Sequence, residues 1–299
     1  MTRYNPQPET AALLNRALAH IESVPYTVTA RWVFYRLLQE GSLPGKADYK
    51  RLLGYMSHAR KGWWGGWTPE TLADDTRSAV VRGEGFSSGA AWLEGVKRMR
   101  CDLDHWSGQL NYVECWFEAS AMQAQFKHYT NENITLLSFK GDISIPAKMA
   151  SAQRLYKRMR DGQNIVILYY GDLDPKGLQI PESATRDVFN FIARLWGQDH
   201  RGIDLDQPEE RDRFRQFLEL YNFRRVGLNP EHVDRYSIVE NPERPGSYQW
   251  EGLDDAGAEE LIGEANDHID MDLLAQVTDE EDDITRRFRE HLDGLDLEE

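Results

Sequence analysis

The chain has 299 residues and a net charge of −15, with 40% hydrophobic, 11% aromatic and 28% charged residues; this excludes a disordered, fibrous or miniature scaffold and leaves room for one large or two ordinary domains with a buried core. Two cysteines, Cys101 and Cys115, exclude a disulfide framework and a four-cysteine zinc site. Even acidity would argue against a nucleic-acid partner, but 19 acidic residues and 3 arginines fall in 251–299 while residues 1–100 hold 14 basic and 9 acidic ones, so DNA binding stays open to the amino-terminal third.

Pro8-Glu9-Thr10 starts a predicted helix in which Leu13, Leu14, Ala17, Leu18 and Ile21 recur at helical spacing. After Val24-Pro25, Thr27 and Thr29 offer a cap for a second helix through Gln39, ended by Gly41. A third helix over 47–60 gathers Tyr49, Leu52, Leu53 and Met56 on one face before Gly62. The run Gly62-Trp63-Trp64-Gly65-Gly66-Trp67 is expected to form a hairpin wing, making residues 1–82 a winged-helix-like domain. Its tryptophans either pack a small core or stack on bases.

Residues 83–108 read as a glycine- and serine-containing linker with a helix at 91–99. From 109 to 250 the period changes: strands are expected at 111–117, 134–139, 164–170 and 223–228, with helices at 119–128, 145–160, 179–195 and 209–221. That alternation indicates an α/β domain, a parallel sheet with flanking helices. Residues 241–247 read as a loop and 251–299 as an acidic helical tail, whose plainest role is solubility. The longest apolar runs, such as 165–170, are too short for a membrane span, and residues 1–6 lack the apolar stretch of a signal peptide. A cytoplasmic protein with no membrane role is expected.

The sharpest local signal is Tyr169-Tyr170-Gly171-Asp172-Leu173-Asp174-Pro175-Lys176-Gly177, at the end of the most apolar strand. Ligand-binding groups of open parallel sheets lie at such carboxyl ends. Asp172 and Asp174, two residues apart, project to one side if the backbone stays extended. Two anions held together need a cation, and hard carboxylate oxygens suit Mg²⁺, with Mn²⁺ as the alternative. Taken alone, Asp-X-Asp-Pro is also an ordinary turn and helix cap. Glu118, at the end of the first strand of the sheet, is placed to approach the pair. Glu114, inside the apolar run, is expected at an exposed edge or facing a helix.

Glu118 after an apolar strand, then Gly141, then 171–177 resemble the Toprim domain shared by topoisomerases, primases and some nucleases. The order of winged-helix-like unit and Toprim domain resembles the A subunit of DNA topoisomerase VI and its relatives. These include the meiotic double-strand-break protein, stand-alone A-like proteins of mobile elements and the nuclease subunit of Wadjet plasmid-defence systems. The family's pattern of arginine, two variable residues, an aromatic and a tyrosine matches Arg31-Trp32-Val33-Phe34-Tyr35.

The resemblance implies that Tyr35 attacks a DNA phosphate, leaving a 5′ phosphotyrosine link and a free 3′ hydroxyl, with the bond energy stored for resealing. It implies Mg²⁺ at Glu118, Asp172 and Asp174, with Glu118 sharing in catalysis. A phenol with a pKa near 10 needs help to ionise, and Arg31, four positions earlier on the same helix face, is placed to give it. Double-stranded DNA as partner, a homodimer that completes the site across its interface and a nucleoid-associated location are implied too. Arg60, Lys61 and Arg77 are expected DNA contacts, with surface salt bridges as the ordinary alternative.

Departures from the pattern are Trp32 where an acidic residue is frequent, Phe34 where a second tyrosine is common, and Ala119 where many relatives have lysine. They touch full topoisomerase activity more than the metal site. The match covers 25–178 best, and Trp250-Glu251-Gly252-Leu253-Asp254 echoes a late family segment loosely. No Walker-type loop is present, so ATP-driven strand passage would require a separate ATPase subunit. Two alternatives stay open: a Toprim nuclease that hydrolyses DNA with metal-activated water while Tyr35 serves packing, and a non-catalytic DNA-binding or assembly protein.

Overall fold

The computed structural model of the chain describes residues 4–45, 47–68, 71–73, 85–139 and 145–294. Three helices come first: α1 (Pro8–Glu22), α2 (Ala30–Gln39) and α3 (Ala47–Lys61). Proline in the first turn sets the start of α1, and Thr29 Oγ1 caps α2 by accepting the Trp32 N–H at 3.3 Å. Their apolar stripes meet in a core of their own around Leu14, Val33, Leu37, Leu52 and Met56.

Residues 62–67, expected as a hairpin wing, form consecutive turns instead. Gly65 and Gly66 take φ of 58° and 93°, and Trp67 N–H bonds back to Trp64 O at 3.0 Å. The chain therefore reverses within four residues and drops Trp67, fully buried, into the three-helix core. Trp63 is left 65% exposed.

The second part comprises α4 (Gly89–Lys97), β1 (Asn111–Phe117), α5 (Gln123–Tyr129), β2 (Thr135–Ser138), α6 (Ile145–Arg160), β3 (Asn164–Tyr170) and α7 (Pro175–Asp199). Then follow α8 (Pro208–Glu219), β4 (Tyr221–Gly227), α9 (Pro230–Arg235), α10 (Asp255–Gly263) and α11 (Met271–Leu292). The sheet runs β2-β1-β3-β4 with every described pairing parallel. β1 and β3 are central, which is why both read as nearly unbroken apolar runs.

Phe117 pairs with Ser138 on one side and Tyr170 on the other, and Tyr170 pairs with Gly227, so the carboxyl ends align along one edge. The strand order reverses between β1 and β3. Ligand crevices of such sheets open at that reversal, outside the carboxyl ends.

Two expectations change here. α7 begins before residue 179, because Asp174 Oδ1 accepts the Gly177 N–H at 2.6 Å and Pro175 occupies the first turn, with Pro181 carried inside the helix. The described part of the acidic segment, 251–294, is packed onto the sheet: Ala258, Leu261, Ile262, Ala265, Ile269 and Leu274 all belong to its core. No described helix is long and apolar enough to cross a membrane.

Candidate active-site cleft

β1 and β3 end side by side, and the chain leaves β1 still bonded to its neighbour, Glu118 N–H donating to Tyr170 O at 3.0 Å. The Glu118 side chain turns across to the next loop, where its Oε2 accepts the Asp172 N–H at 3.1 Å. Asp172 Oδ1 accepts the Trp250 N–H at 2.9 Å. Asp174 is both the cap of α7 and a member of the cleft, with Arg244 Nη1 4.0 Å from its other oxygen.

Above this edge lies a cleft of about 470 Å³. Glu118, Asp172 and Asp174 line its floor, α2 contributes Arg31, Phe34 and Tyr35, and the loop after α9 contributes Asn241, Arg244 and Gln249. The two groups singled out in the sequence, far apart along the chain, thus share one cavity within a single chain.

The loop is held close to Glu118 by small residues. A Cβ on Gly177 would lie 2.3 Å from Asp172 O and 3.0 Å from Glu118 Oε2, and one on Gly171 would lie 2.7 Å from Tyr169 Oη and 3.1 Å from Glu118 Oε2. Arg225, near the end of β4, supports the loop from below. Its guanidinium donates to the carbonyls of Gly171, Asp172, Gly177 and Leu228 and sits 5.4 Å over the Tyr169 ring.

Burial, then the charges of Glu251 and Glu118, push the Asp172 carboxyl up to about 7 against the opposing Trp250 N–H and Arg31. Tyr35 is 8% exposed. Burial raises its phenol above the ordinary value, and Arg31, with its guanidinium carbon 6.0 Å from the ring centre, pulls the other way without prevailing.

Hard oxygen donors on a cleft of this volume suit a divalent ion of the Mg²⁺ or Mn²⁺ type that retains several waters. The three carboxylates do not close on a single point. Among the described residues, the group whose ligand atoms all lie within 4.8 Å of one another is Asp102, His105 and Glu281. It lies between the segment before β1 and α11, where His105 Nε2 and Glu281 Oε1 already share a 2.7 Å hydrogen bond. Such a mixed set can hold a metal without specifying which.

Of the expected DNA contacts, Arg60 donates to Leu72 O at 3.4 Å and Lys61 is exposed at the end of α3; neither lines the cleft. Arg77, like Gly141, lies outside the described residues. Glu114 faces a helix: it is fully buried and paired with Arg154 of α6.

Sequence reasoning missed Arg225, Arg244 and Glu251. Arg225 carried a usable signal, a charge two residues before the end of a strand whose carboxyl edge bears the site. Glu251 carried only the loose echo of a late family segment at 250–254, being otherwise one of 19 acidic residues in 251–299. No family model, curated protein or solved structure matches the chain.

Proposed function

We propose that the chain is a Mg²⁺-dependent DNA-cleaving enzyme, similar to the A subunit of topoisomerase VI, with Tyr35 as its nucleophile. The observation that supports this reading is the meeting of Arg31 and Tyr35 with Glu118, Asp172 and Asp174 in one cleft. The phenol oxygen of Tyr35 attacks the phosphorus of a DNA phosphodiester. A phosphotyrosine bond forms and the bond to the 3′ oxygen breaks, that oxygen taking up a proton as the phenol loses one.

Arg31 and Arg244 favour the anionic phosphate and the phenolate. Glu118, Asp172 and Asp174 would hold the metal, which would draw their oxygens together, and Arg225 keeps the loop of the two aspartates in place. When bound, Mg²⁺ or Mn²⁺ supplies polarisation of the scissile phosphate. Breaking both strands takes two such sites, which a homodimer would supply, and ATP-driven strand passage would take a separate ATPase subunit.

The burial of Tyr35 and the raised pKa of its phenol favour a second reading, a metal-dependent nuclease that hydrolyses DNA while Tyr35 only packs. The purified chain, supercoiled plasmid and Mg²⁺ or Mn²⁺ separate the two. Under the first reading the wild type nicks or cuts and forms covalent adducts trapped by detergent, and Tyr35→Phe and Asp172→Asn abolish both. Cutting by Tyr35→Phe without adducts selects hydrolysis. A wild type that binds DNA and never cuts leaves a non-catalytic binding or assembly protein.

A further inference from the structure

Tyr169, the last residue but one of β3, ends beneath the loop that carries the two aspartates. Its ring is held by its neighbours: Phe139 and Phe223 lie against it with ring centroids at 6.0 and 6.1 Å, and the Arg225 guanidinium sits 5.4 Å over it. The residue is fully buried, yet its hydroxyl has no hydrogen-bond partner among the described residues. A buried hydroxyl left in that condition is a net cost to the fold, and such groups are rare enough that each asks for a reason.

The reason lies across Gly171. A Cβ there would be 2.7 Å from Tyr169 Oη and 3.1 Å from Glu118 Oε2, so phenol and carboxylate reach toward the same point, and the missing side chain leaves the gap between them clear. Glu118 Oε2 already accepts the Asp172 N–H at 3.1 Å. A carboxylate oxygen has two lone-pair sites, so the same atom can take a second donor. Burial first, then the charge of Glu118, raise the phenol above its ordinary value, with Arg225 opposing. Tyr169 is therefore a hydrogen-bond donor at neutral pH and no ligand itself.

We propose that Tyr169 is a positioning residue whose phenol donates to Glu118 when the three carboxylates hold a divalent ion, fixing the orientation in which Glu118 ligates. The proposal rests on the metal site of the function proposed above and adds to it a residue in contact with neither metal nor DNA. Ligands of bound metals are commonly oriented by a second hydrogen bond of this kind.

The metal-free and loaded states make opposite demands on the hydroxyl. Without metal it is an uncompensated cost, which Tyr169→Phe removes while keeping the ring. With metal the same change removes a donor. A hydroxyl that only packs gives no such reversal.

Mn²⁺ is the probe, added alone to the full chain and followed by the paramagnetic resonance signal of the free ion. Binding that Asp172→Asn removes belongs to the cleft. For that binding, Tyr169→Phe is expected to lower Mn²⁺ affinity about tenfold, while the melting temperature in EDTA stays unchanged or rises. Equal affinity in Tyr169→Phe and wild type overturns the proposal. So does a melting temperature in EDTA that falls along with the affinity, the mark of a hydroxyl that serves the fold alone. A wild type that binds no Mn²⁺, or binding untouched by Asp172→Asn, removes the metal site and the role of Tyr169 with it. That failure is seen before any Tyr169 variant is compared, so the two are told apart.

Discussion

Arg225 on β4 donates to the carbonyl of Asp172 at 2.7 Å, and the same guanidinium reaches the carbonyls of Gly177 at 2.9 Å, Leu228 at 3.0 Å and Gly171 at 3.2 Å. One side chain therefore ties the last strand to the loop that carries both aspartates. Because carbonyls at the foot of a cleft have little access to water, losing their donor costs about 1–3 kcal/mol. Arg225→Met, which keeps the apolar stem, is expected to lower stability by that amount in urea denaturation and to reduce plasmid cleavage more than DNA binding. Arg225→Lys should restore only part, since a single ammonium cannot replace the planar fork. A Met variant equal to wild type in both assays refutes this role.

Gly177 is required by space. The nearest atom to an added Cβ is the carbonyl oxygen of Asp172 at 2.3 Å, part of the backbone and unable to swing away. Gly177→Ala is expected to displace the Asp172–Gly177 loop, destabilise by about 1–3 kcal/mol and abolish metal-dependent cleavage. Gly197, in the same helix α7, has nothing within 4 Å of such a Cβ. Gly197→Ala should be neutral or stabilising by about 0.5–1 kcal/mol. Equal thermal melts for the two variants would remove the argument.

Glu114 on β1 is fully buried and held by Arg154 of α6, Nε to Oε1 at 2.6 Å and Nη2 to Oε2 at 3.0 Å, with the Trp116 indole donating at 2.8 Å. Removing the cation strands a charge inside the sheet. Arg154→Met is expected to cost about 3–5 kcal/mol, and the double variant with Glu114→Gln to recover part of it. Denaturation midpoints of the singles and the double measure the coupling; additive losses would show that the pair does not act as a unit.

The contact of His105 with Glu281 predicts a pH dependence. Burial lowers the His105 pKa, but Glu281 outweighs it and the ring ends above its ordinary value. Glu281 is held below the usual carboxylate range by the Leu103 N–H first and then by His105. A raised histidine pKa contributes stability fully below the unfolded value of about 6.5 and loses it as pH rises through the folded value. The Glu281 contribution is present above the unfolded value of about 4.3 and is lost on acidification through its own folded value. Chemical denaturation at pH 6 and pH 8 should therefore show a decline in the wild type that shrinks in His105→Gln. A variant that declines as much as the wild type counts against the pair.

Much of the fold was legible locally. The strands Asn111–Phe117 and Asn164–Tyr170 and the helix Ile145–Arg160 lie at the bounds that period and apolar runs alone mark, because alternation and helical spacing are properties of neighbouring residues. The turns at 62–67 were not, because whether three tryptophans pair as a ribbon or one of them drops into a helical core depends on what lies beneath. The start of α7 was missed for a different reason: cap and ligand stood as alternatives for the Asp-X-Asp-Pro run, whereas Asp174 is at once the helix cap and a cleft residue.

Chain order and side-chain chemistry determined that Glu118, Asp172 and Asp174 stand at strand ends and that Arg31 and Tyr35 share a helix face. Which of these groups meet was decided by the strand order β2-β1-β3-β4 and by the docking of α2 on residues 250–255. Glu251 shows the difference most clearly. In the sequence it is one negative charge in an acidic stretch, and only the burial of its carboxylate against the half-exposed Arg31 gives it a partner.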